Sequence, residues 1–263
     1  MNLEQLTKEA RVVIKEVGEF IQQEAKTFTK SKIEHKGVND LVSYVDKTSE
    51  AKLITGLNRI FPEAGIMAEE GIGNESGKEY CWVIDPLDGT TNFTHGLPVY
   101  AISVALVKGK EILIGVVHEL NKDECFHAYQ GGGAWCNEEK IEVSSVTKLS
   151  DSLLATGFPY YDFERLPKYL NILNQFMKDT HGLRRLGAAS VDLCYVACGR
   201  FEGFFEYNLK PWDIMAGVLI VEEAGGKVTD FAGKQPDYSG AETIAACAMH
   251  KEMQEVIHKH WIN

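Results

Sequence analysis

The stretch that decides the fold runs from Asp85 to Phe93 and reads DPLDGTTNF. It closes a short apolar run, CWVI, which is β-rich and has the length of a buried strand. Asp, Pro and Gly are common turn residues, so a plain surface turn is one interpretation of this segment. The other interpretation is a site at which the carboxylates of Asp85 and Asp88 converge on one point.

Composition and charge narrow the class of protein. The chain has 263 residues and a net charge of −11, with 44% hydrophobic and 25% charged residues, as in a globular protein of one large domain or two closely packed ones. An acidic chain repels nucleic acids and anionic membranes unless it has a basic patch, and Arg184-Arg185 is its only dense basic cluster. We expect no signal peptide, because the first 26 residues carry charges throughout, and no membrane span, because no apolar run is long enough. We therefore expect a cytoplasmic protein with no nucleic-acid or membrane partner.

The cysteines allow two interpretations. Six are present and none forms a CxxC pair. Cys194 and Cys198 are four residues apart in a helix-like stretch and so share one face, which leaves a zinc pair open. No second pair of ligands follows at zinc-finger spacing, so buried free thiols in a reducing compartment are the favoured interpretation.

Hydrophobic periodicity predicts the main elements. An amphipathic helix is expected over residues 3–26 and a second helix from Asp46, with Asp46 or Thr48 as its cap. A meander of strands follows, and in the later part of the chain strands mix with helices. Two α/β halves, about 1–150 and 151–263, are the natural grouping. Because no Pro- or Ser-rich linker separates them, we expect one compact unit with its site between the two lobes.

Acidic residues stand at the ends of apolar runs. They are Glu69-Glu70 after GIMA, Asp85 and Asp88 after CWVI, and Asp213 at the start of a predicted helix. Each alone is typical of a solvated element end, and Asp213 also compensates a helix dipole. Together they place carboxylates at one sheet edge, where Mg²⁺ binds through a few carboxylates and substrate phosphate. A shared set of ions would remove the repulsion between them.

Small residues beside these acids are suited to binding an anion. Gly89 allows close backbone approach, and Thr90-Thr91 supply hydroxyl and N–H groups. GAAS, at residues 187–190, is a second small-residue entry into a helix, with the same capacity to hold phosphate.

Three segments resemble signatures of the inositol monophosphatase family. They are EEG at residues 69–71, WVIDPLDGTTNF at 82–93 and WDIMAGVLIVEEAGG at 212–226. The likeness spans most of the chain, and DPLDGTTNF is long and specific. The resemblance implies an α/β fold layered as an αβαβα sandwich, of the type shared with fructose-1,6-bisphosphatase. It also implies Mg²⁺-dependent hydrolysis of phosphate monoesters, inhibition by Li⁺ and a homodimer.

The resemblance also implies roles for single residues. The metal ligands are Glu69, Asp85 and the Leu87 carbonyl for a first Mg²⁺, and Asp85, Asp88 and Asp213 for a second. A third, looser ion near Glu69 is typical of the family, which makes two to three ions per site. Glu69 is preferred to Glu70 because successive side chains of a strand point to opposite faces.

Catalytic and substrate residues follow from the same motifs. Asp46 and Thr90 match the pair that orients the nucleophilic water and takes its proton, so no covalent intermediate on Ser190 is needed. Ala189 and Glu206 match positions that contact the inositol hydroxyls. The implied substrate-binding residues are Leu87, Asp88, Gly89, Thr90, Gly187, Ala188, Ala189, Glu206 and Asp213.

Several functions remain open. GTTNF in place of GTK favours inositol 1-phosphate over 3′-phosphoadenosine 5′-phosphate and histidinol phosphate, and fructose 1,6-bisphosphate remains an alternative. A second alternative is a catalytically silent regulatory relative, which would have lost a metal-binding carboxylate or the water-orienting pair. A third is a structural metal-binding protein, which would not need Thr90 and Asp46. His95 is interpreted as a loop or packing residue. Arg184-Arg185 is interpreted as a solvated or dimer-contact pair that could also attract an anionic substrate.

Overall fold

A computed structural model describes residues 1–29, 33–35, 41–72, 77–159, 163–236, 238 and 241–262. The helices are α1 (Leu3–Ala25), α2 (Tyr44–Ile60), α3 (Thr90–His95), α4 (Leu166–Asp179), α5 (Ala189–Ala197), α6 (Pro211–Glu223) and α7 (His250–Trp261). The strands are β1 (Ile33–His35), β2 (Leu41–Ser43), β3 (Gly65–Ala68), β4 (Tyr80–Asp88), β5 (Ala101–Lys108), β6 (Glu111–Glu119), β7 (Glu124–Tyr129), β8 (Ala134–Cys136), β9 (Glu139–Ile141), β10 (Leu153–Thr156), β11 (Gly182–Arg184), β12 (Gly203–Leu209), β13 (Lys227–Thr229) and β14 (Ala241–Ala246).

Two sheets form the frame. The larger has the strand order β3-β4-β5-β6-β7-β8-β9 and is antiparallel except for the β3–β4 pair. The smaller has the order β11-β10-β12-β14-β13, and β1 pairs separately with β2. Helices α1 and α2 pack on one face of the large sheet, α5 and α6 lie between the sheets, and α4 and α7 cover the outer face of the small sheet. The αβαβα order that the family resemblance implied is thus confirmed.

The core follows these layers. On β5, Ile102, Val104 and Leu106 belong to the core under α1 and α2, whereas Ala101 and Ala105 belong to the core that holds α5 and α6. Because successive side chains of a strand alternate between faces, a strand covered on both sides must be apolar throughout. A third core lies between the small sheet and the pair α4 and α7.

The chain passes from the large sheet to the small one between Ile141, where β9 ends, and Leu153, where β10 begins. The predicted boundary near residue 150 falls in this connection. Because α5 and α6 follow it and still pack on the large sheet, the elements of the two halves are interleaved. The division into lobes 1–150 and 151–263 stays a prediction.

Helix α6 is apolar on all sides because it lies between two sheets, and every residue from 214 to 221 is buried. It approaches β6 so closely that a Cβ on Gly115 would stand 2.5 Å from the carbonyl oxygen of Ala216. The Ser103 hydroxyl of β5 donates to the carbonyl of Trp212 at 3.1 Å. These contacts fix the first turn of α6 against the large sheet. Among the described residues, no helix is both long and apolar enough to cross a membrane.

We expect Gly115→Ala to lower the free energy of unfolding by about 1–3 kcal/mol, because the added methyl group overlaps a backbone carbonyl in a packed core. Urea unfolding followed by circular dichroism measures the change. Glu111→Ala, at an exposed position of the same strand, should shift stability by less than about 0.5 kcal/mol. Wild-type stability in Gly115→Ala would contradict the close approach of α6 to β6.

Candidate active site

A bulge in β4 turns Asp85 and Asp88 to the same face of the sheet. Asp85 pairs with Ser103 of β5 and Asp88 pairs with Ala101. An advance of three residues along β4 therefore corresponds to two residues along β5. In a regular strand, residues three apart point to opposite faces, and the extra residue of a bulge corrects this. The interpretation of this segment as a plain surface turn is therefore wrong, since β4 continues through Pro86 and ends at Asp88.

The carboxylate of Asp85 is buried among other acids. Its side chain is 2% exposed, and its Oδ1 accepts a hydrogen bond from the Leu87 N–H at 2.9 Å. Burial, followed by the charges of Glu69, Asp88 and Asp213, raises the pKa of Asp85 well above its ordinary value. Asp85 therefore lies within electrostatic reach of the other three acids.

Ser190 anchors the carboxylate of Asp88. The Oδ2 of Asp88 accepts hydrogen bonds from the Ser190 N–H at 2.8 Å and from its hydroxyl at 2.5 Å. Burial raises the pKa of Asp88 to about 6, while the Ser190 hydrogen bonds oppose this rise. We predicted no positioning role for Ser190, although its place in the first turn of α5 could have indicated one. The start of this helix serves a carboxylate of β4.

Asp46 and Thr90, which are 44 residues apart, form a direct pair. Helix α2 begins at Tyr44 with Ser43 as its cap, so Asp46 is not the cap but the third helical residue. Its Oδ2 accepts the Ser43 N–H at 2.8 Å and the Ser43 hydroxyl at 2.7 Å, which closes a capping box. Its Oδ1 lies 2.8 Å from the Thr90 hydroxyl oxygen, which is also 2.9 Å from the Leu87 carbonyl oxygen. Burial raises the pKa of Asp46 against these hydrogen bonds.

Gly89 joins β4 to α3 in a left-handed conformation with φ of 89°. A Cβ at this position would stand 2.9 Å from the carbonyl oxygen of Val99. Both the backbone angle and the limited space require glycine here. The chain can therefore reverse between Asp88 and Thr90 within a single residue.

Glu50 fixes the loop after β3 and is absent from the predicted site. This fully buried carboxylate accepts the N–H groups of Glu70 and Ile72, each at 2.7 Å. Because β3 ends at Ala68, Glu69 and Glu70 lie beyond the strand, and the alternation argument that separated them is wrong. Of this pair, Glu69 is the residue whose charge raises the pKa of Asp85. Glu50 follows the acid at the start of α2 by one helical turn, which was an available signal.

Asp213 lies in the first turn of α6. Its Oδ2 accepts the N–H of Lys210 at 2.7 Å. Burial raises the pKa of Asp213 to about 7, the Lys210 hydrogen bond opposes this rise, and the charge of Asp88 adds to it. The positive end of the helix dipole also favours the ionised form.

A cavity of about 90 Å³ adjoins these acids. Its wall contains Asp88, Gly157, Arg185, Gly187, Ala188, Ala189, Asp192, Glu206, Leu209 and Asp213. The structure thus brings the predicted residues 187–189 and Glu206 together with the acids of β4 and α6. Leu87, Gly89 and Thr90 lie outside this wall. The carboxylate of Glu206 stands directly against Gly157, where a Cβ would overlap it.

The two neighbouring arginines differ in their surroundings. Arg184 is exposed, whereas Arg185 is half-buried and its guanidinium lies 5.8 Å from the ring centre of Phe158. The positive charge of Arg185 partly offsets the raised pKa values of Asp192 and Glu206. Arg185 forms part of the cavity wall, so the solvated alternative is wrong for this residue. The dimer contact and the attraction of an anionic substrate stay predictions.

Other candidate ligands lie apart from this arrangement. His95 is exposed, and Cys194 and Cys198 are free thiols. Within the described ranges, no three His, Cys, Asp or Glu side chains are arranged to hold a metal ion by themselves. Mg²⁺ keeps several waters, so water and substrate phosphate can complete the coordination that the side chains leave open.

Comparison with known proteins defines the family. A model of the inositol monophosphatase family matches residues 2–262. The chain belongs to this family. A putative Nus factor SuhB of Neisseria meningitidis serogroup B is 46% identical over 230 residues, which cover 87% of this chain and 88% of that protein. A fructose-1,6-bisphosphatase/inositol-1-monophosphatase of Aquifex aeolicus is 40% identical over 228 residues, with 87% and 86% covered.

Solved structures of this family share the fold. The extragenic suppressor protein suhB from Bartonella henselae superposes with a TM-score of 0.90 at 33% identity, covering 98% of this chain and 99% of that one. An IMPase/NADP phosphatase complexed with Mg²⁺ and phosphate gives a TM-score of 0.85 at 27% identity, with 97% and 96% covered. The layered arrangement is therefore that of the family.

We expect Asp85→Asn to raise the melting temperature of the Mg²⁺-free protein at pH 8. An acid whose folded-state pKa is raised destabilises the fold when ionised, and this cost is absent below its ordinary pKa of 3.8 and grows as the pH rises toward the folded-state value. The amide removes the charge, while its oxygen can still accept the Leu87 N–H.

Thermal unfolding in a chelator at pH 5 and pH 8 measures this effect, and the gain should be larger at pH 8. Asp151→Asn, at an exposed position, is the control and should show no such difference. A lower melting temperature of Asp85→Asn at both pH values would contradict the repulsion inferred at this carboxylate.

Proposed function

We propose that this protein hydrolyses inositol 1-phosphate to inositol and phosphate, with Mg²⁺ and water as the nucleophile. Membership of the inositol monophosphatase family implies a phosphatase. The observation that carries the proposal is the convergence of four acids beside the hydrogen-bonded pair of Asp46 and Thr90. Carboxylates that repel one another in a buried place gain from divalent cations.

The donor set fits Mg²⁺, which prefers oxygen ligands. In this proposal Glu69, Asp85 and the Leu87 carbonyl hold one ion, Asp85, Asp88 and Asp213 hold a second, and a third binds near Glu69. Mg²⁺ and phosphate in the IMPase/NADP phosphatase structure support this choice of ion. When bound, the ions would supply positive charge that activates a water and offsets the charge of the phosphate and the leaving oxygen.

Asp46 and Thr90 would orient the attacking water and accept its proton. The Thr90 hydroxyl donates to Asp46, so its oxygen remains able to accept a hydrogen bond from water. The raised pKa of Asp46 makes it a better proton acceptor than an ordinary carboxylate. The capping box with Ser43 holds the Asp46 carboxylate in one orientation. The pair can therefore both orient the water and receive its proton.

The phosphate and the alcohol half would occupy different parts of the site. We assign Gly89 and Thr90 to the phosphate, because a glycine without a Cβ and a backbone N–H can both approach it closely. The alcohol half would occupy the cavity beside Ala189 and Glu206. A carboxylate such as Glu206 suits hydroxyl donors, which supports a polyol as the leaving group.

Other substrates stay as alternatives. The name of the Aquifex relative covers both fructose 1,6-bisphosphate and inositol 1-phosphate, which supports a broad specificity. 3′-Phosphoadenosine 5′-phosphate and histidinol phosphate are the further alternatives from the wider superfamily. A catalytically silent relative is disfavoured because the proposed metal ligands and the water-orienting pair are all present.

Partners and location remain predictions. The Neisseria relative is named a putative Nus factor, so the absence of a nucleic-acid partner is an expectation based on the net charge of −11. The homodimer, the cytoplasmic location and inhibition by Li⁺ are proposals that follow from the family.

We expect Thr90→Val to lower kcat by about 10²–10⁴-fold, because it removes the hydroxyl that links the water to Asp46. Thr90→Ser keeps the hydroxyl and should retain activity within about tenfold of wild type. Steady-state phosphate release with Mg²⁺ measures both variants. Similar losses in the Val and Ser variants would show that the hydroxyl is not the functional group.

A substrate panel tests the proposed reaction. Phosphate release is measured with inositol 1-phosphate, fructose 1,6-bisphosphate, 3′-phosphoadenosine 5′-phosphate and histidinol phosphate, with Mg²⁺ and with chelator. We expect the highest kcat/KM with inositol 1-phosphate, and no turnover without Mg²⁺. Asp85→Asn should lose turnover because it removes a proposed ligand of both ions. Preference for either of the last two substrates, or near-normal activity of Asp85→Asn, would overturn the assignment.

A further inference from the structure

Glu50 lies on α2 and takes no part in the reaction proposed above, although its side chain is fully buried. Its Oε2 accepts the N–H of Glu70 and its Oε1 accepts the N–H of Ile72, each at 2.7 Å. Both carboxylate oxygens thus hold the loop that follows β3. Burial of a carboxylate is costly even when hydrogen bonds compensate it, so a role beyond packing is expected.

Backbone hydrogen bonds fix the rest of this loop. The N–H of Glu69 donates to the carbonyl of Ile84 on β4 at 3.2 Å. The N–H of Gly71 donates to the carbonyl of Ala68 at 3.2 Å. Four consecutive N–H groups of the loop therefore have acceptors, two on the backbone and two on Glu50. The backbone that carries the Glu69 side chain is held on both sides.

The loop forms a concave site for an anion, and the Glu50 carboxylate is that anion. Gly71 is left-handed with φ of 78° and lies between the two residues whose N–H groups donate to Glu50. Turns that contain a left-handed residue direct neighbouring N–H groups toward one anion. Because Glu50 belongs to the protein itself, ordering of the loop does not depend on a bound ion or substrate.

Helix α2 connects this loop to the water-orienting pair. Asp46 and Glu50 are four residues apart in α2, so their side chains share one face of the helix. Asp46 contacts Thr90 after β4, and Glu50 contacts the loop after β3. A single helix thereby sets the position of the proposed proton acceptor relative to Glu69, a proposed metal ligand.

We propose that Glu50 is a positioning residue that sets the affinity of the site for the Mg²⁺ ions that contact Glu69. Its carboxylate holds the loop so that Glu69 meets an ion without a further loss of conformational freedom. Residues that orient metal ligands contribute about 10–100-fold to metal affinity. This inference rests on the proposed function, in which Glu69 is a ligand of Mg²⁺.

Glu50→Gln tests the proposal, because the amide keeps the size of the side chain but has one oxygen instead of two. One of the two loop N–H groups then faces an NH₂ group and loses its acceptor. We expect Kd for Mn²⁺, measured on the metal-free chain by electron paramagnetic resonance of the free ion, to rise about 10–100-fold. KM for inositol 1-phosphate at saturating Mg²⁺ should change less than about threefold. Glu63→Gln, the same substitution at an exposed position between α2 and β3, is the control and should keep the wild-type Kd.

A double-mutant cycle distinguishes positioning from general support of the fold. In a Glu69→Gln background the proposed metal ligand is already lost, so Glu50→Gln should raise Kd for Mn²⁺ by less than about twofold more. Additive effects of the two substitutions on Kd would mean that Glu50 acts on the fold as a whole, and would overturn the proposal.

A measurement on the unmutated chain covers the case in which Glu50→Gln does not fold. Hydrogen exchange in the metal-free chain should show the amides of Glu70 and Ile72 protected by at least about 100-fold, since both donate to a buried carboxylate. Exchange at the rate of an unstructured peptide would show that the loop is not held, and would overturn the proposal.

The outcomes separate the two proposals. An unchanged Kd for Mn²⁺ in Glu50→Gln, together with Mg²⁺-dependent phosphate release by the wild-type chain, would overturn the role of Glu50 alone. Failure of the wild-type chain to release phosphate from any ester of the panel would overturn the proposed function, even where Glu50→Gln weakens Mn²⁺ binding.

Discussion

Repulsion between carboxylates at the end of β4 is the constraint on which the rest of the site depends. Burial and three neighbouring acids make the ionised form of Asp85 unfavourable, yet the fold keeps all four acids close together. Hydrogen-bond donors hold three of these side chains: the Leu87 N–H holds Asp85, Ser190 holds Asp88 and the Lys210 N–H holds Asp213. Such donors orient a carboxylate without neutralising it. The site therefore stays attractive to cations at a cost in stability, as is common where function and stability compete.

Helix N-termini supply much of this support. Asp46 lies in the first turn of α2, Asp213 in the first turn of α6, and the first turn of α5 donates the Ser190 N–H to Asp88. The positive ends of helix dipoles favour negative charge, so the starts of α2, α6 and α5 act on Asp46, Asp213 and Asp88 respectively. The large sheet supplies Asp85 and Asp88. Its contact with α6 at Gly115 sets the distance between these two acids and Asp213.

Most helices and strands could be predicted from the sequence, because helix and strand periodicities are local properties and central strands are apolar on both faces. Their layered order was implied only by the resemblance to the family. The bulge in β4 could not, since it depends on pairing with β5, and three-residue spacing alone also suits a turn. Similarly, Glu50 and Asp192 are ordinary helix residues until tertiary packing buries them. The role of Glu50 depends on what the fold places opposite it, which is the loop after β3.

The order of the elements along the chain has a consequence for biosynthesis. The large sheet is complete at Ile141, but α5 and α6, which cover one of its faces, extend from Ala189 to Glu223. A ribosome adding about 5–20 residues per second therefore needs several seconds to supply that cover after the last strand has emerged. During this interval the apolar face represented by Ala101 and Ala105 has no helix to pack against. The nascent chain is then most exposed to aggregation, before Asp213 has joined the acids of β4.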